Sequence, residues 1–186
     1  LKGFGMKILA YDTFPDVEFQ KTVGFEYADL DTLYKKSDVL SLHCPLTKET
    51  RHMINRGSLE KMKSGVMIIN TGRGLLIDTK ALIEGLKSGK IGYAGLDVYE
   101  EESDVFFEDF SDSGISDDVL ARLLSFPNVL ITSHQAFFTQ EALHNIAETT
   151  LENIREFFTQ GKMPNEICYH CTTLSACPRK KTGKCF

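Results

Sequence analysis

Three polar side chains stand just past the ends of three apolar stretches. Arg73 closes Met67-Ile-Ile-Asn-Thr-Gly-Arg73-Gly. Glu102 ends an acidic run after Gly92-Tyr-Ala-Gly-Leu-Asp97-Val. His134 follows Asn128-Val-Leu-Ile-Thr-Ser. A guanidinium is a planar fork that pairs bidentately with a carboxylate. A carboxylate beside an imidazole orients the ring and favours its charged form. An imidazole gives and takes protons near neutral pH. The three types together make an anion clamp, an orienting group and a proton donor. In an open α/β sheet, ligands bind beyond the carboxyl ends of the strands, so all three residues would face one crevice. Each has a plainer reading: an arginine in a turn, a glutamate in a solvated run, a histidine bonded to backbone. Glycines on either side of Arg73 permit close ligand approach and favour the functional reading there.

The elements that must position these groups follow from spacing. Strands are predicted over residues 6–11, 38–42, 66–70, 92–96 and 128–132, and helices over 29–36, 56–63, 79–88 and 115–124. Asp78 is placed to cap the helix over 79–88, with Leu82, Ile83 and Leu86 on one face. Thr139 begins a long helix to about residue 159, where Ile146, Leu151, Ile154 and Phe158 recur at helical spacing; Gly161 and Pro164 end it. Strands alternating with helices predict an α/β doubly wound parallel sheet. Residues 66–70 form a continuous apolar run, as in a strand buried on both faces. Residues between Glu100 and Asp118 read as an acidic and aromatic surface excursion.

A dinucleotide fold opens with a strand, a G-x-G-x-x-G turn and a helix. That turn is absent, yet Asp12 stands where the acidic residue about 20 positions later belongs. The spacing therefore predicts a Rossmann-like domain lacking its first strand and glycine loop. Asp12 would accept a hydrogen bond from the adenosine ribose 2′-OH and repel a 2′-phosphate, which favours NAD over NADP. A plain turn or helix-cap aspartate is the alternative.

The 186 residues suit one domain or slightly more. A net charge of -5 argues against nucleic acid and anionic membranes as partners. No apolar run reaches the ~18 residues that span a bilayer, and no signal peptide is visible. Cys44 is isolated, which suits a reducing compartment. Cys168, Cys171, Cys177 and Cys185 crowd the end of the chain as a candidate zinc or iron–sulfur ligand set. A disordered basic tail or reactive thiols would explain them equally well.

Several stretches carry a family likeness. These are Leu1-Lys-Gly-Phe-Gly-Met, Tyr11-Asp12, Ser37-Asp-Val-Leu-Ser-Leu-His-Cys-Pro-Leu-Thr47, Asn70-Thr-Gly-Arg-Gly74 and Gly95-Leu-Asp-Val-Tyr-Glu-Glu-Glu102. The chain up to about residue 167 resembles the D-isomer-specific 2-hydroxyacid dehydrogenases. Asp104-Val-Phe-Phe-Glu-Asp-Phe and His134-Gln-Ala-Phe-Phe-Thr-Gln-Glu-Ala-Leu143 are similar to the fermentative D-lactate dehydrogenase branch, which reduces pyruvate with NADH.

The resemblance implies an NAD-binding domain over 1–134, incomplete at its N-terminus. A helical segment over 135–166 would return to the catalytic domain, and a Cys-rich tail would occupy 167–186. It implies Arg73, Glu102 and His134 as catalytic residues. It places Asp12, His43, Pro45, Thr71, Gly72 and Asp97 at the cofactor, His43 and Pro45 through shape and backbone, Asp97 near the nicotinamide. A strand-end turn cap is the alternative for Asp97. Gly72 departs from the branch pattern, which often has serine there. Glu100 and Glu101 read as solvated, and His52, His144 and His170 as structural. The implied protein is cytoplasmic, a homo-oligomer in its full length, and acts on a small 2-keto or 2-hydroxy acid. Rival readings are a relative acting on a bulkier 2-keto acid and a non-catalytic NAD-sensing corepressor.

Overall fold

The computed structural model describes residues 1–102, 117–161 and 165. Along Leu1–Ala136, the first of two units, strands and helices alternate: β1 (Leu9–Ala10), α1 (Val17–Val23), β2 (Glu26–Tyr27), α2 (Leu30–Lys36), β3 (Val39–Leu42), α3 (Arg56–Lys61), β4 (Val66–Asn70), α4 (Thr79–Lys87), β5 (Ile91–Leu96), α5 (Asp118–Leu124) and β6 (Val129–Ile131). The second unit, Phe137–Phe186, holds α6 (Gln140–Gln160). No helix among the described residues is long and apolar enough to cross a membrane.

Strands β3, β4, β5 and β6 form a parallel sheet in that order. Their last residues stand in one row: Leu42 beside Asn70, Asn70 beside Leu96, Leu96 beside Ile131. The loops leaving β4, β5 and β6 therefore start from neighbouring points on one sheet edge. A right-handed crossover between successive neighbours sends every connecting helix to the same face. Accordingly α3, α4 and α5 pack side by side. Leu59, Leu82, Leu86, Leu120 and Leu123 join Leu40, Leu42, Val66, Ile68, Ile91 and Leu96 in the core.

Burial of β4 on both faces, expected from its composition, is not what the described residues show. Val66, Ile68 and Asn70 are buried, whereas Met67 and Ile69 are only half-buried. Beside them Tyr93 is 58% and Leu130 68% exposed. All three crossover helices lie on the opposite side, which is the reason.

β1 and β2 pair in parallel as a separate two-stranded sheet. In the doubly wound order 3-2-1-4-5-6, β1 and β2 take places 2 and 3, and β3 to β5 take places 4 to 6. The break between the two sheets falls where strand 1 would lie, as the absent glycine loop predicts. β1 is shorter than the strand predicted over 6–11. The sequence reading did not anticipate α1 and β2. α1 buries none of its residues, so it carries no apolar stripe to reveal it. Asp16 caps it by accepting the Phe19 N–H, and Gly24 ends it at φ 74.

The predicted caps form. Asp78 accepts the Lys80 and Ala81 N–H groups at the start of α4, and Thr139 accepts that of Ala142 at the start of α6. Gly161 ends α6 in the left-handed conformation.

Candidate active site

The loop after β6 is built around Asp97. This residue is only 4% exposed. Its Oδ1 accepts the Thr132 hydroxyl and the Gln135 N–H (2.8 Å), and its Oδ2 accepts the Ala136 N–H (2.9 Å). Its own carbonyl accepts the His134 N–H at 2.7 Å. Burial pushes the Asp97 carboxyl up, but the hydrogen bonds from Thr132, Ala136 and Gln135, with His134 nearby, outweigh it and hold the group below its usual value. The clamp holds His134 at φ 52, a left-handed conformation uncommon outside glycine.

Glu102 reaches His134 from the loop after β5. Its Oε2 accepts the Tyr99 N–H at 3.1 Å, and its Oε1 lies 3.3 Å from His134 Nδ1. The two side chains are 21% and 35% exposed. That separation makes an ion pair when the ring is charged, but the alignment is not that of a hydrogen bond. Nδ1 is a buried nitrogen with no hydrogen-bond partner among the described residues. Such contacts are often loose without ligand and tighten once it binds. With Nδ1 turned to Glu102, Nε2 is the nitrogen left for a substrate.

Arg73 leaves the end of β4 through a turn that Asn70 organises. The Asn70 amide is 1% exposed. It donates to the Arg73 carbonyl at 2.9 Å and accepts the Gly72 N–H at 3.1 Å. The Arg73 guanidinium is exposed and donates to the Gly72 carbonyl at 2.8 Å. It has no ion-pair partner among the described residues. The next residue presses the turn onto the Glu102 loop: a Cβ on Gly74 would fall 2.0 Å from the Tyr99 carbonyl oxygen and 2.6 Å from the Glu100 nitrogen. The three candidate catalytic residues thus stand on adjoining loops at one sheet edge, with Glu102 and His134 in contact.

The other predicted residues fall into two groups. Asp12, His43, Pro45 and Thr71 are exposed, and Gly72 is half-buried. Asp12 Oδ1 accepts the Phe14 N–H at 2.8 Å, a turn role that leaves Oδ2 without a partner among the described residues. His43 Nε2 lies 2.8 Å from the Ser41 hydroxyl. No glycine loop is present to hold a pyrophosphate. Asp97 stands apart from them. Its carboxylate is engaged by protein donors, and its role in the structure is the turn cap that the sequence offered as the alternative.

Two further points differ from the sequence reading. Glu100 is not solvated: His52 Nε2 lies 2.8 Å from its Oε1, and its Oε2 accepts the Thr79 N–H. Sequence reasoning also missed Thr132 and Asn70, although an asparagine ending an apolar strand is a signal for a turn organiser. His144 pairs with Glu148 one turn on along α6, at 3.1 Å. Cys44 is a free, partly buried thiol whose pKa burial raises. The metal candidates Cys168, Cys171, Cys177 and Cys185, the excursion over 103–116, Pro164 and His170 lie outside the described residues.

Residues 1–136 match the family profile described as D-isomer specific 2-hydroxyacid dehydrogenase, NAD binding domain. The chain is 54% identical over 167 residues to the D-lactate dehydrogenase of Escherichia coli K12, covering 90% of this chain and 50% of that protein. It is 50% identical over 168 residues to an aromatic 2-oxoacid reductase of Clostridium sporogenes, covering 89% and 50%. A solved structure of the pyruvate reductase of Chlamydomonas reinhardtii superposes with a TM-score of 0.81 at 46% identity, over 88% of this chain and 50% of that one. The chain spans about half the length of the curated relatives it matches. A parallel sheet with Arg73, Glu102 and His134 gathered at its carboxyl edge, and this degree of likeness, place the chain in the D-isomer-specific 2-hydroxyacid dehydrogenase family, with residues 1–136 matching its NAD-binding domain.

Proposed function

We propose that the whole protein is an NAD-dependent D-lactate dehydrogenase that reduces pyruvate to D-lactate. The observation that carries this reading is the His134–Glu102 pair at 3.3 Å, on loops that adjoin that of Arg73, which has no ion-pair partner among the described residues. NADH, when bound at this edge, would supply the hydride for the carbonyl carbon. Arg73 takes the substrate carboxylate in its fork and fixes which face of the carbonyl is presented. His134 gives a proton from Nε2 to the carbonyl oxygen, and in the reverse direction takes the hydroxyl proton back. Glu102 stabilises the charged ring before transfer. Asp97 keeps the His134 loop in place through Thr132, Gln135 and Ala136. Asp12 accepts the ribose hydroxyl, and Thr71, Gly72, His43 and Pro45 line the same edge. We assign the pyrophosphate cradle and the substrate side-chain pocket to the part of the protein outside residues 1–186. The free thiol of Cys44 supports a reducing compartment such as the cytoplasm.

A relative acting on a bulkier 2-keto acid is the second reading, supported by the 50% identity to an aromatic 2-oxoacid reductase. Steady-state oxidation of NADH by the full-length protein separates the two. A higher kcat/KM for pyruvate than for phenylpyruvate is expected. The reverse order favours the second reading, and no turnover of any 2-keto acid overturns both. Arg73→Lys replaces a fork by a point charge and loses a charge-assisted hydrogen bond of about 1.5–3 kcal/mol. It is expected to lower kcat/KM roughly 10–100-fold.

A further inference from the structure

His52 and Glu100 lie outside the reacting trio, yet they tie its loops together. Glu100 is two residues before Glu102. Its Oε1 is 2.8 Å from His52 Nε2, and its Oε2 accepts the N–H of Thr79, the first residue of α4, at 3.2 Å. His52 opens a segment that runs beside the Arg73 turn. Its N–H donates to the Leu75 carbonyl at 2.8 Å, and the Ile54 N–H donates to that of Leu76 at 3.1 Å. Ile54 forms a parallel bridge with Ile77, and the Asn55 amide holds the His52 carbonyl at 2.8 Å. His52 sits at φ 51, which a non-glycine residue keeps only where its surroundings impose it.

The Glu100 carboxylate therefore joins three pieces of backbone: the segment at 52–54, the start of α4, and the loop that carries Glu102. The His52 and Glu100 side chains are 32% and 22% exposed, so this junction is largely shielded from water. The Tyr99 N–H that holds Glu102 Oε2 belongs to the residue just before Glu100. A shift of Glu100 moves that donor, and with it the partner of His134 Nδ1.

We propose that His52 and Glu100 are a positioning pair that holds Glu102 against His134. The inference rests on the dehydrogenase reading for its catalytic consequence, but not for its structural one. Two readouts on the full-length protein test it. One is the crystal structure of each variant, which gives the separation of Glu102 Oε1 from His134 Nδ1, 3.3 Å in the parent. The other is the kinetics of 2-keto acid reduction.

Glu100→Ala is expected to draw Glu102 away from His134, widening their separation by about 1 Å or more, and to lower kcat about tenfold or more with KM for NADH unchanged. The double variant should be no worse than Glu102→Gln alone. In Glu100→Gln the amide oxygen can accept the Thr79 N–H while the amide NH₂ donates to His52 Nε2 in its Nδ1–H tautomer, so the variant should retain most of the activity. Should Glu100→Ala fail to fold, His52→Gln carries the same comparison. A Glu102–His134 separation in Glu100→Ala unchanged from the parent overturns the proposal. So do effects of Glu100→Ala and Glu102→Gln that multiply, or a Glu100→Gln variant as impaired as Glu100→Ala. A parent protein that reduces no 2-keto acid refutes the dehydrogenase reading alone, since the crystallographic arm still decides the positioning role.

Discussion

A buried carboxylate that accepts several hydrogen bonds is most stabilising when ionised, and Asp97 is such a group. Its folded-state pKa is lowered. The stability it contributes is therefore fully present above its unfolded value of about 3.9 and is lost as pH falls through the folded value. In Asp97→Asn one oxygen becomes an amide NH₂. That amide can serve Thr132 and Gln135 through its oxygen, but it then faces the Ala136 N–H with another donor. The expected cost at pH 7 is about 1–3 kcal/mol, the usual penalty for an unsatisfied buried group. The gap between parent and variant should narrow in acid, starting below about pH 4 where the unfolded carboxyl takes up its proton, and close only as pH falls through the lowered folded-state value. Denaturant unfolding at pH 7 and pH 3 measures both gaps. A gap of the same size at both would contradict the assignment.

At the scale of elements, the site depends on three loops pressed together at the ends of β4, β5 and β6. Gly74 is the tightest of these contacts, because backbone rather than a movable side chain occupies the space of its missing Cβ. Gly74→Ala must push the Arg73 turn away from Tyr99 and Glu100. The expected result is a loss of about 1–3 kcal/mol of stability, as for other overpacked sites. A displacement of about 1 Å at a substrate-binding group can cost a factor of about 100 in rate, so 2-keto acid reduction should fall in the same variant. Gly3→Ala is the control. Nothing lies within 4 Å of a Cβ there, and stability and rate should match the parent. Equal behaviour of the two variants in a thermal melt would show that the close approach at Gly74 is not needed.

At the scale of the whole molecule, the sheet lies in two pieces, and one face of β3 to β6 leaves Tyr93 and Leu130 exposed. A dinucleotide is held chiefly at its pyrophosphate by a glycine turn and a helix N-terminus. Residues 1–186 contain no G-x-G-x-x-G turn. The chain by itself is therefore expected to bind NADH with a Kd of about 1 mM or weaker and to turn over no substrate. Fluorescence titration with NADH checks the first point. A Kd near 1 μM would show that the phosphate site lies within these residues.

Local order follows from the amino-acid sequence alone. The caps at Asp78 and Thr139, the strand at 66–70 and the polar residue waiting beyond each strand depend on neighbours a few positions apart. Helical and strand periodicities are both short-range, so these features were legible, and with them the places of Arg73, Glu102 and His134 beyond the ends of β4, β5 and β6. Where an element buries nothing, as in α1, there was no periodic signal to find. Tertiary structure alone decided that Glu100 pairs with His52, 48 residues away, instead of meeting solvent. It also decided that the Asp97 carboxylate turns inward to clamp the His134 loop, and that β4 is covered on one face. The reason is register. Which side chains meet across loops is set by how four strands align, and a slip of one residue would send each of them to the opposite face.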